Sequence, residues 1–385
     1  MTAPSVVRSV LAINGPSGAG KTTWLSRVIE SLARLNAAPA VVKTCHHAPD
    51  IEPRRKDSAR HLEAGATAVL LASRTKIALT RRTKETVADE IRRFVDTAPS
   101  SIILIEGGQE TDFPKIAVNS TGIEWSKSPP FPVLAYAGRR EMIPAVCDRN
   151  WSNPEAAADE ILGWHNLRKR TASVLGVILS GGEGKRLGGL RKGALLLDNL
   201  RLDDRAFRML RTFLHDVRLS TPRADERASS ESGAKRSGNS SRESSVFVPP
   251  PPEIPLLLDP PGIAGPVAGV AAAVEFAEKN NASGILLLGV DHCRLPLSAL
   301  ESLLRIGLDG LPAVASSQDG LTPTICFFPR NSFSNLRNAI SAGARSLKAL
   351  FSSLDFRPLP LEKDLLQDID TPEDIERLGI KISSA

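Results

Sequence analysis

Short apolar runs alternate with segments of helical periodicity along the first 170 residues. An apolar, β-branched run at residues 6–14 predicts a strand, glycines follow it, and the periodicity of residues 24–35 predicts a helix. The pattern continues with strands predicted at 40–43 and 101–105 and with helices predicted around 58–71, 84–95 and 155–165. Strands that alternate with helices are typical of a parallel sheet, so we predict an α/β domain at residues 1–170.

A second α/β domain, also with a mostly parallel sheet, is predicted at residues 171–385. It opens with an apolar strand at 174–179 that again leads into glycines. The pattern then predicts helices around 205–214 and after Gly265, and strands at 284–290 and 324–328. Residues 222–255 interrupt this pattern with a serine-rich and then proline-rich stretch that has little apolar surface to bury, so we expect a disordered insertion there.

The composition fits two ordinary globular domains, with 385 residues of which 42% are hydrophobic and 24% charged. The net charge is +6, but the basic residues are dispersed and only 4% of residues are aromatic, which argues against nucleic acid and fits phosphorylated small molecules. No apolar run has the length of a membrane span, the first residues lack the pattern of a secretory signal, and the four cysteines form no CxxC pair. We therefore expect a cytoplasmic protein with no membrane partner.

The first glycine segment, GlyProSerGlyAlaGlyLysThr (15–22), matches GxxxxGK[ST] between a predicted strand and a predicted helix. In such a loop the backbone N–H groups wrap phosphates, the lysine adds positive charge, and the threonine hydroxyl ligates Mg²⁺. The predicted nucleotide-binding residues here are Gly15, Gly18, Gly20, Lys21, Thr22 and Thr23. The predicted Mg²⁺ ligands are Thr22 and, through water, Glu106 at the end of a strand. The alternatives are a plain glycine turn and a solvated carboxylate.

Several segments occur in the order of a known family. They are GlyProSerGlyAlaGlyLysThrThr (15–23), ValValLysThrCysHisHis (41–47), LysAspSerAlaArgHisLeuGluAlaGlyAla (56–66), IleGluGly (105–107) and ProLysIle (114–116). They resemble MobB, the GTP-binding partner of molybdopterin-guanine dinucleotide synthesis, over about the first 165 residues. The resemblance implies a P-loop NTPase domain that binds GTP, hydrolyses it weakly at most and forms homodimers. Gly108 and Gln109 depart from the family, which usually continues with phenylalanine and lysine. A metal site at His46 and His47 is an alternative that their spacing disfavours, since adjacent strand residues face opposite sides.

The second glycine segment, at residues 179–192, follows a strand and carries basic residues at fixed offsets. Its form GGxxxRxGGxxK differs from the first loop and resembles the signature of nucleotidyltransferases. Such a loop lays N–H groups along a triphosphate, while Arg186 and Lys192 balance the charge that grows on leaving pyrophosphate.

Further segments extend this second resemblance. They are AspProProGlyIleAlaGlyProValAlaGly (259–269), LeuLeuLeuGlyValAsp (286–291), ArgSerLeu (345–347) and AspIleAspThrProGluAsp (368–374). Together they resemble MobA, the molybdenum cofactor guanylyltransferases, from about residue 174 to residue 378, which implies a Rossmann-like nucleotidyltransferase fold. By position, the resemblance implies that the nucleotide is bound by Leu179, Gly181, Gly182, Gly188, Lys192, Asp259 and Gly265. It implies catalytic roles for Arg186, Lys192 and Asp291, of which Asp291 also holds Mg²⁺.

The two resemblances together imply an enzyme of molybdenum cofactor biosynthesis with an accessory GTP-binding domain. It would transfer GMP from GTP to the phosphate of (Mo-)molybdopterin and release pyrophosphate, with molybdopterin insertion proteins and molybdoenzymes as partners. Asp368 and Asp370 depart from this pattern, because guanylyltransferases more often carry asparagine there and the related cytidylyltransferases favour aspartate. A molybdopterin cytidylyltransferase, a GTP-binding adaptor that delivers the cofactor with an inactive transferase domain, and a P-loop small-molecule kinase remain as alternatives.

Overall fold

The computed structural model describes residues 7–45, 60–61, 63–123, 131–138, 147–180, 191–222 and 254–381. Within these ranges no helix combines the length and the apolar character needed to cross a membrane. Residues 223–253, which are most of the expected insertion, lie outside the described part of the chain.

The first α/β unit is a layered arrangement of helices on a parallel sheet. Its strands are β1 (Ser9–Asn14), β2 (Ala40–Lys43), β3 (Ala68–Ala72), β4 (Ile77–Arg81), β5 (Ile102–Glu106), β6 (Lys115–Asn119) and β7 (Val133–Gly138). Its helices are α1 (Lys21–Arg34), α2 (Val87–Thr97) and α3 (Pro154–Arg170). The five-stranded sheet has the order β2-β5-β1-β6-β7, with every pair parallel, as the sequence predicted.

Both faces of the central strand β1 are buried, which explains why its sequence is apolar throughout. Leu11 and Ile13 lie in one hydrophobic cluster with residues of α1 and α3. Val10 and Ala12 lie in a second cluster with Ile91 of α2. The helices thus cover opposite faces of the sheet, and the loops that follow its strands meet at one edge.

A β-hairpin apart from the main sheet corrects one sequence prediction. Residues 60, 61 and 63 are helical, but residues 68–71, predicted as the end of a helix around 58–71, lie in β3, which pairs antiparallel with β4. A short apolar run carries too little periodicity to separate strand from helix, and the prediction overlooked β4 as its pairing partner. The hairpin leaves Leu70, Ile77 and Leu79 largely exposed to solvent.

The second α/β unit is larger. Its strands are β8 (Val174–Leu179), β9 (Leu196–Leu197), β10 (Leu200–Arg201), β11 (Asp216–Thr221), β12 (Leu256–Leu258), β13 (Gly284–Gly289), β14 (Ala313–Ser317), β15 (Gly320–Pro329) and β16 (Arg357–Pro360). Its helices are α4 (Leu202–Arg211), α5 (Pro266–Lys279), α6 (Leu297–Leu308), α7 (Phe333–Ser341), α8 (Leu347–Phe351) and α9 (Pro372–Arg377). Short 3₁₀ turns lie at Lys192–Ala194, Arg330–Ser332 and Lys363–Leu366.

The seven-stranded sheet of this unit has the order β12-β11-β8-β13-β15-β14-β16. Only β15 runs against its neighbours β13 and β14; the other pairs are parallel, which confirms a mostly parallel sheet. Helix α5 approaches the sheet closely at Gly269, where an added Cβ would lie 2.7 Å from both Leu179 Cδ2 and Ser220 Oγ. Glycine there lets the helix pack directly against the ends of β8 and β11.

The two units share a continuous hydrophobic core. Helix α3 ends at Arg170, a few residues before β8 begins, and packs on the turn between α4 and β11. Trp164 Nε1 donates a hydrogen bond to the carbonyl of Thr212 at 3.2 Å, and Arg168 Nη1 donates to the same carbonyl at 2.7 Å. A further contact places the guanidinium of Arg205 3.8 Å from the ring centroid of Phe131. The units therefore dock through buried, directional contacts.

Candidate nucleotide and metal sites

The first candidate site is the loop between β1 and α1, where the predicted glycines have conformations that glycine favours. Gly18 and Gly20 have φ of 76° and 84°, which side chains other than glycine rarely adopt. A Cβ on Gly15 would lie 2.2 Å from the carbonyl oxygen of Val118 in β6. These residues therefore hold a tight loop that leads into the N-terminus of α1, where backbone N–H groups favour an anion.

Lys21 lies across this loop. Its Nζ donates hydrogen bonds to the carbonyls of Gly15 at 2.8 Å and Pro16 at 2.6 Å. Burial lowers the pKa of Lys21, although the carboxylate of Glu106 opposes this effect. The loop carbonyls thus keep the ammonium at the mouth of the loop, and Thr23 is exposed on the first turn of α1.

The two predicted Mg²⁺ ligands of this site are brought together. Thr22 Oγ1 donates a hydrogen bond to Glu106 Oε1 at 2.5 Å, although the two residues belong to different elements. Lys43 Nζ lies 3.4 Å from the same carboxylate oxygen. The hydroxyl and the carboxylate are hard oxygen donors of the kind that Mg²⁺ prefers.

Thr44 is a contributor that the sequence analysis missed. Its Oγ1 accepts a hydrogen bond from the N–H of Gly108 and donates one to the carbonyl of Glu106, both at 3.2 Å. Gly107 and Gly108 have φ of 97° and 69°, so a phenylalanine at position 108 would be strained. Thr44 directly follows the predicted strand 40–43. Its position at the carboxyl edge of the sheet could have identified it as a residue of the site.

The second candidate site lies at the carboxyl edge of the seven-stranded sheet, where β8 ends at the buried Leu179. The glycine loop that follows, with Gly181, Gly182, Arg186 and Gly188, lies outside the described residues. The chain is described again from Arg191, just before the 3₁₀ turn that Lys192 begins.

Lys192 and Asp291, two of the predicted catalytic residues, form an ion pair at this edge. Lys192 Nζ lies 2.9 Å from Asp291 Oδ2 and 2.7 Å from Asp370 Oδ1. Burial by itself would lower the pKa of Lys192, but its two carboxylate partners raise it above the ordinary value. Burial would likewise raise the pKa of Asp291, yet the interactions with His292 and Lys192 outweigh it and lower this pKa. Both groups are therefore held in their charged forms.

Asp368 and His292 complete this cluster; the sequence predicted Asp291 alone as the metal ligand of this domain, with the carboxylates of Asp368 and Asp370 either adding to a metal site or capping the helix at 371–374. The ligand atoms of Asp291, His292 and Asp368 lie within 4.8 Å of one another. Burial, together with the nearby carboxylates, raises the pKa of Asp368. Thr371 and Asp374 form the capping box of α9, so the two departing aspartates of the sequence face the cluster and do not supply the helix cap.

A separate polar group flanks β8 on its other side. Ser220 Oγ, at the end of β11, donates a hydrogen bond to Asp259 Oδ1 at 2.7 Å, and Ser180 Oγ donates to the carbonyl of Ser220 at 2.9 Å. Gly265 caps α5 with φ of 73°. The predicted nucleotide residues Asp259 and Gly265 thus lie on the β11–β12 side of β8 and Asp291 on the β13 side, while the serines were not predicted.

Comparison with known proteins matches both units. The family model described as molybdopterin guanine dinucleotide synthesis protein B, MobB, matches residues 10–133, and the model described as a MobA-like NTP transferase domain matches residues 176–357. A molybdopterin-guanine dinucleotide biosynthesis adapter protein from Haemophilus influenzae is 33% identical over 111 residues, which are 29% of this chain and 62% of that protein. A molybdenum cofactor guanylyltransferase from Pseudomonas entomophila is 27% identical over 201 residues, which are 51% of this chain and 93% of that protein.

A solved structure also resembles the chain. The crystal structure of molybdopterin-guanine dinucleotide biosynthesis protein A from Archaeoglobus fulgidus has 20% identity and a TM-score of 0.40, over 53% of this chain and 96% of that chain. This chain spans less than two thirds of the length of the adapter relatives, namely 62% of the Haemophilus protein and 66% of the one from Escherichia coli.

Proposed function

We propose that this chain, which joins a MobB domain to a MobA-like NTP transferase domain, transfers GMP from GTP to the phosphate of (Mo-)molybdopterin. The products are molybdopterin guanine dinucleotide and pyrophosphate. The observation that carries the proposal is the ion pair of Lys192 with Asp291 at the carboxyl edge of the sheet. Ligands of open α/β sheets bind at this edge.

The reaction needs positioning and charge neutralisation more than proton transfer. An oxygen of the molybdopterin phosphate, already anionic, attacks the α-phosphorus of GTP, and the bond from that phosphorus to the bridging β-phosphate oxygen breaks. Lys192 donates to the phosphate oxygens as negative charge moves toward pyrophosphate, and Arg186 has the same role from the glycine loop.

The donor atoms fit a divalent cation in both domains. In the transferase domain, carboxylate oxygens of Asp291 and Asp368 are donors that suit Mg²⁺, and in the MobB domain Thr22 and Glu106 supply them. When bound, the cation neutralises phosphate charge.

Guanine is the proposed base, although aspartates at positions 368 and 370 are more typical of the related cytidylyltransferases. These aspartates contact Lys192 and His292, on the side of the site that handles phosphate. The group formed by Ser220, Asp259 and Gly265 lies across β8 from them. The departures are therefore proposed to act on the cation and the phosphates, which supports GTP as the proposed nucleotide.

The MobB domain is proposed to bind a second GTP in the loop of Gly15, Gly18, Gly20 and Lys21. It is proposed to assist either GMP transfer or delivery of the finished cofactor to molybdopterin insertion proteins and molybdoenzymes. A kinase would need arginines over the phosphates, and Arg81 instead pairs with Glu90 of α2. A delivery adaptor with an inactive transferase domain would not need to keep Lys192 and Asp291 as an ion pair.

The test is an assay of the full chain with Mg²⁺, molybdopterin and either GTP or CTP. With GTP, dinucleotide and pyrophosphate are expected in equal amounts, and CTP is expected to give a rate at least about tenfold lower, since discrimination by lost hydrogen bonds is large. Equilibrium dialysis of the same preparation is expected to give two bound GTP per chain. Product from CTP alone would establish the cytidylyltransferase, and GTP binding without product from either nucleotide would favour the adaptor.

A homodimer through the MobB domain is the proposed assembly, and the hairpin of β3 and β4 supports it. Its exposed Leu70, Ile77 and Leu79 form an apolar surface of a kind that isolated hairpins do not sustain in water. Sedimentation equilibrium is expected to give a dimer for the wild type and a monomer for the Ile77→Glu/Leu79→Glu double variant. A wild-type monomer at micromolar concentration would contradict the assembly.

A further inference from the structure

The imidazole of His292 is satisfied on one nitrogen only. Its side chain is fully buried, and Nε2 shares a hydrogen bond with Thr324 Oγ1 at 2.7 Å. Nδ1 is buried without a hydrogen-bond partner among the residues that the structure describes. A buried polar atom left unpaired is unfavourable, so this nitrogen is expected to have a partner.

The neighbours of His292 are carboxylates, which accept hydrogen bonds and donate none when ionised. Asp368 Oδ1 lies 3.4 Å from Nδ1, and Asp291 Oδ1 lies 3.7 Å from Nε2. When Thr324 Oγ1 accepts the proton of Nε2, a lone pair is left on Nδ1. A lone pair and a carboxylate oxygen repel each other unless a proton or a metal cation lies between them.

We propose that Nδ1 of His292 ligates the divalent cation of the transferase site, together with the carboxylates of Asp291 and Asp368. The inference rests on the proposed function, which requires a cation at this site. It adds a nitrogen ligand that the proposed function does not include. One ligand atom from each of the three residues lies within 4.8 Å of the other two, and Nδ1 lies 3.4 Å from Asp368 Oδ1. Donors about 2.1 Å from an octahedral ion are separated by about 3.0 to 4.2 Å, so small side-chain shifts complete the geometry.

Thr324 supports this role from the antiparallel strand β15. Histidines that ligate metals donate their other N–H to an oxygen, which fixes the tautomer and the ring orientation. The hydrogen bond that Nε2 shares with Thr324 Oγ1 has this arrangement when Nε2 carries the proton. Carboxylate oxygens suit both Mg²⁺ and Mn²⁺, and an imidazole ligand adds affinity for first-row transition ions relative to Mg²⁺. The site is therefore expected to bind Mn²⁺ more tightly, relative to Mg²⁺, than an all-oxygen site would.

The experiment measures metal binding to the full chain without GTP or molybdopterin. Electron spin-echo envelope modulation of the Mn²⁺-bound protein is expected to show coupling to a directly bound imidazole nitrogen. His292→Asn, which presents an amide oxygen near the position of Nδ1, is expected to bind Mn²⁺ without this coupling. Its ratio of Mn²⁺ to Mg²⁺ affinity, from isothermal titration calorimetry, is expected to fall by about tenfold.

His61→Asn is the matched control, because His61 is exposed in the other domain and its replacement is expected to leave the nitrogen coupling unchanged. Absence of the coupling in the wild type, or its persistence in His292→Asn, would overturn the assignment, and so would an unchanged affinity ratio. Since no substrate is present, a failure of guanylyl transfer leaves this result standing. Transfer with GTP but without nitrogen coupling would overturn only the histidine ligand.

Discussion

Replacement of Lys192 by alanine is expected to lower kcat/KM for GMP transfer by roughly 10²–10³. Removing one donor aimed at charge that develops in a transition state costs on the order of 3–4 kcal/mol. Lys192 is proposed as such a donor, since its half-buried ammonium lies at hydrogen-bond distance from Asp291 and Asp370, at the edge where the phosphates are proposed to bind. The measurement is steady-state release of pyrophosphate with varied GTP and molybdopterin.

The control for this substitution is Lys279→Ala. Lys279 is exposed in the last turn of α5, at the opposite end of that helix from Gly265 and the site. The Lys279→Ala substitution removes the same charge from the protein as Lys192→Ala, so a general electrostatic effect would appear in both variants. Activity of Lys192→Ala within about threefold of the Lys279→Ala variant would contradict the catalytic role. Thermal unfolding of both variants separates lost chemistry from lost folding.

Local motifs of this chain could be predicted from the sequence because their geometry depends on nearby residues. The segment at 15–22 carries its own turn glycines and its helix start, and the structure places the loop between β1 and α1 as predicted. The strand 174–179 was predicted in the same way, since burial on both faces makes its residues apolar throughout. Parallel order followed from the alternation of strands and helices.

Features that depend on partners distant in sequence were not predictable in this way. The cluster of Asp291 with His292 and Asp368 forms because β13 and the segment before α9 meet at one sheet edge, and neither sequence spacing nor residue type specifies that meeting. The same holds for Thr44 beside Glu106. The strand β3 was mistaken for helix because its identity depends on pairing with β4.

The docking of the two units is the largest feature that depends on residues distant in sequence. It brings the MobB domain into contact with the transferase domain. Arg205 of α4 has its guanidinium over Phe131, and its Nε donates to the carbonyl of Cys293 at 3.2 Å. Cys293 lies in the loop that carries Asp291 and His292. A ring of the first unit thus contacts the residue that holds the loop of Asp291 and His292, so the units are expected to act as one body.

Replacement of Trp164 by alanine is expected to destabilise both units by about 3–5 kcal/mol, the usual cost of deleting a buried aromatic side chain. Trp164 is 2% exposed and lies in α3, while its Nε1 donates to Thr212 of the transferase unit. Differential scanning calorimetry of the full chain is expected to show the whole transition lowered by about 5 °C. The control is Trp24→Ala in α1, whose Nε1 donates to Trp151 within the first unit. If the units unfold separately, Trp24→Ala is expected to lower the transition of the first unit alone. The same result for Trp164→Ala would show that the shared core does not stabilise the second unit.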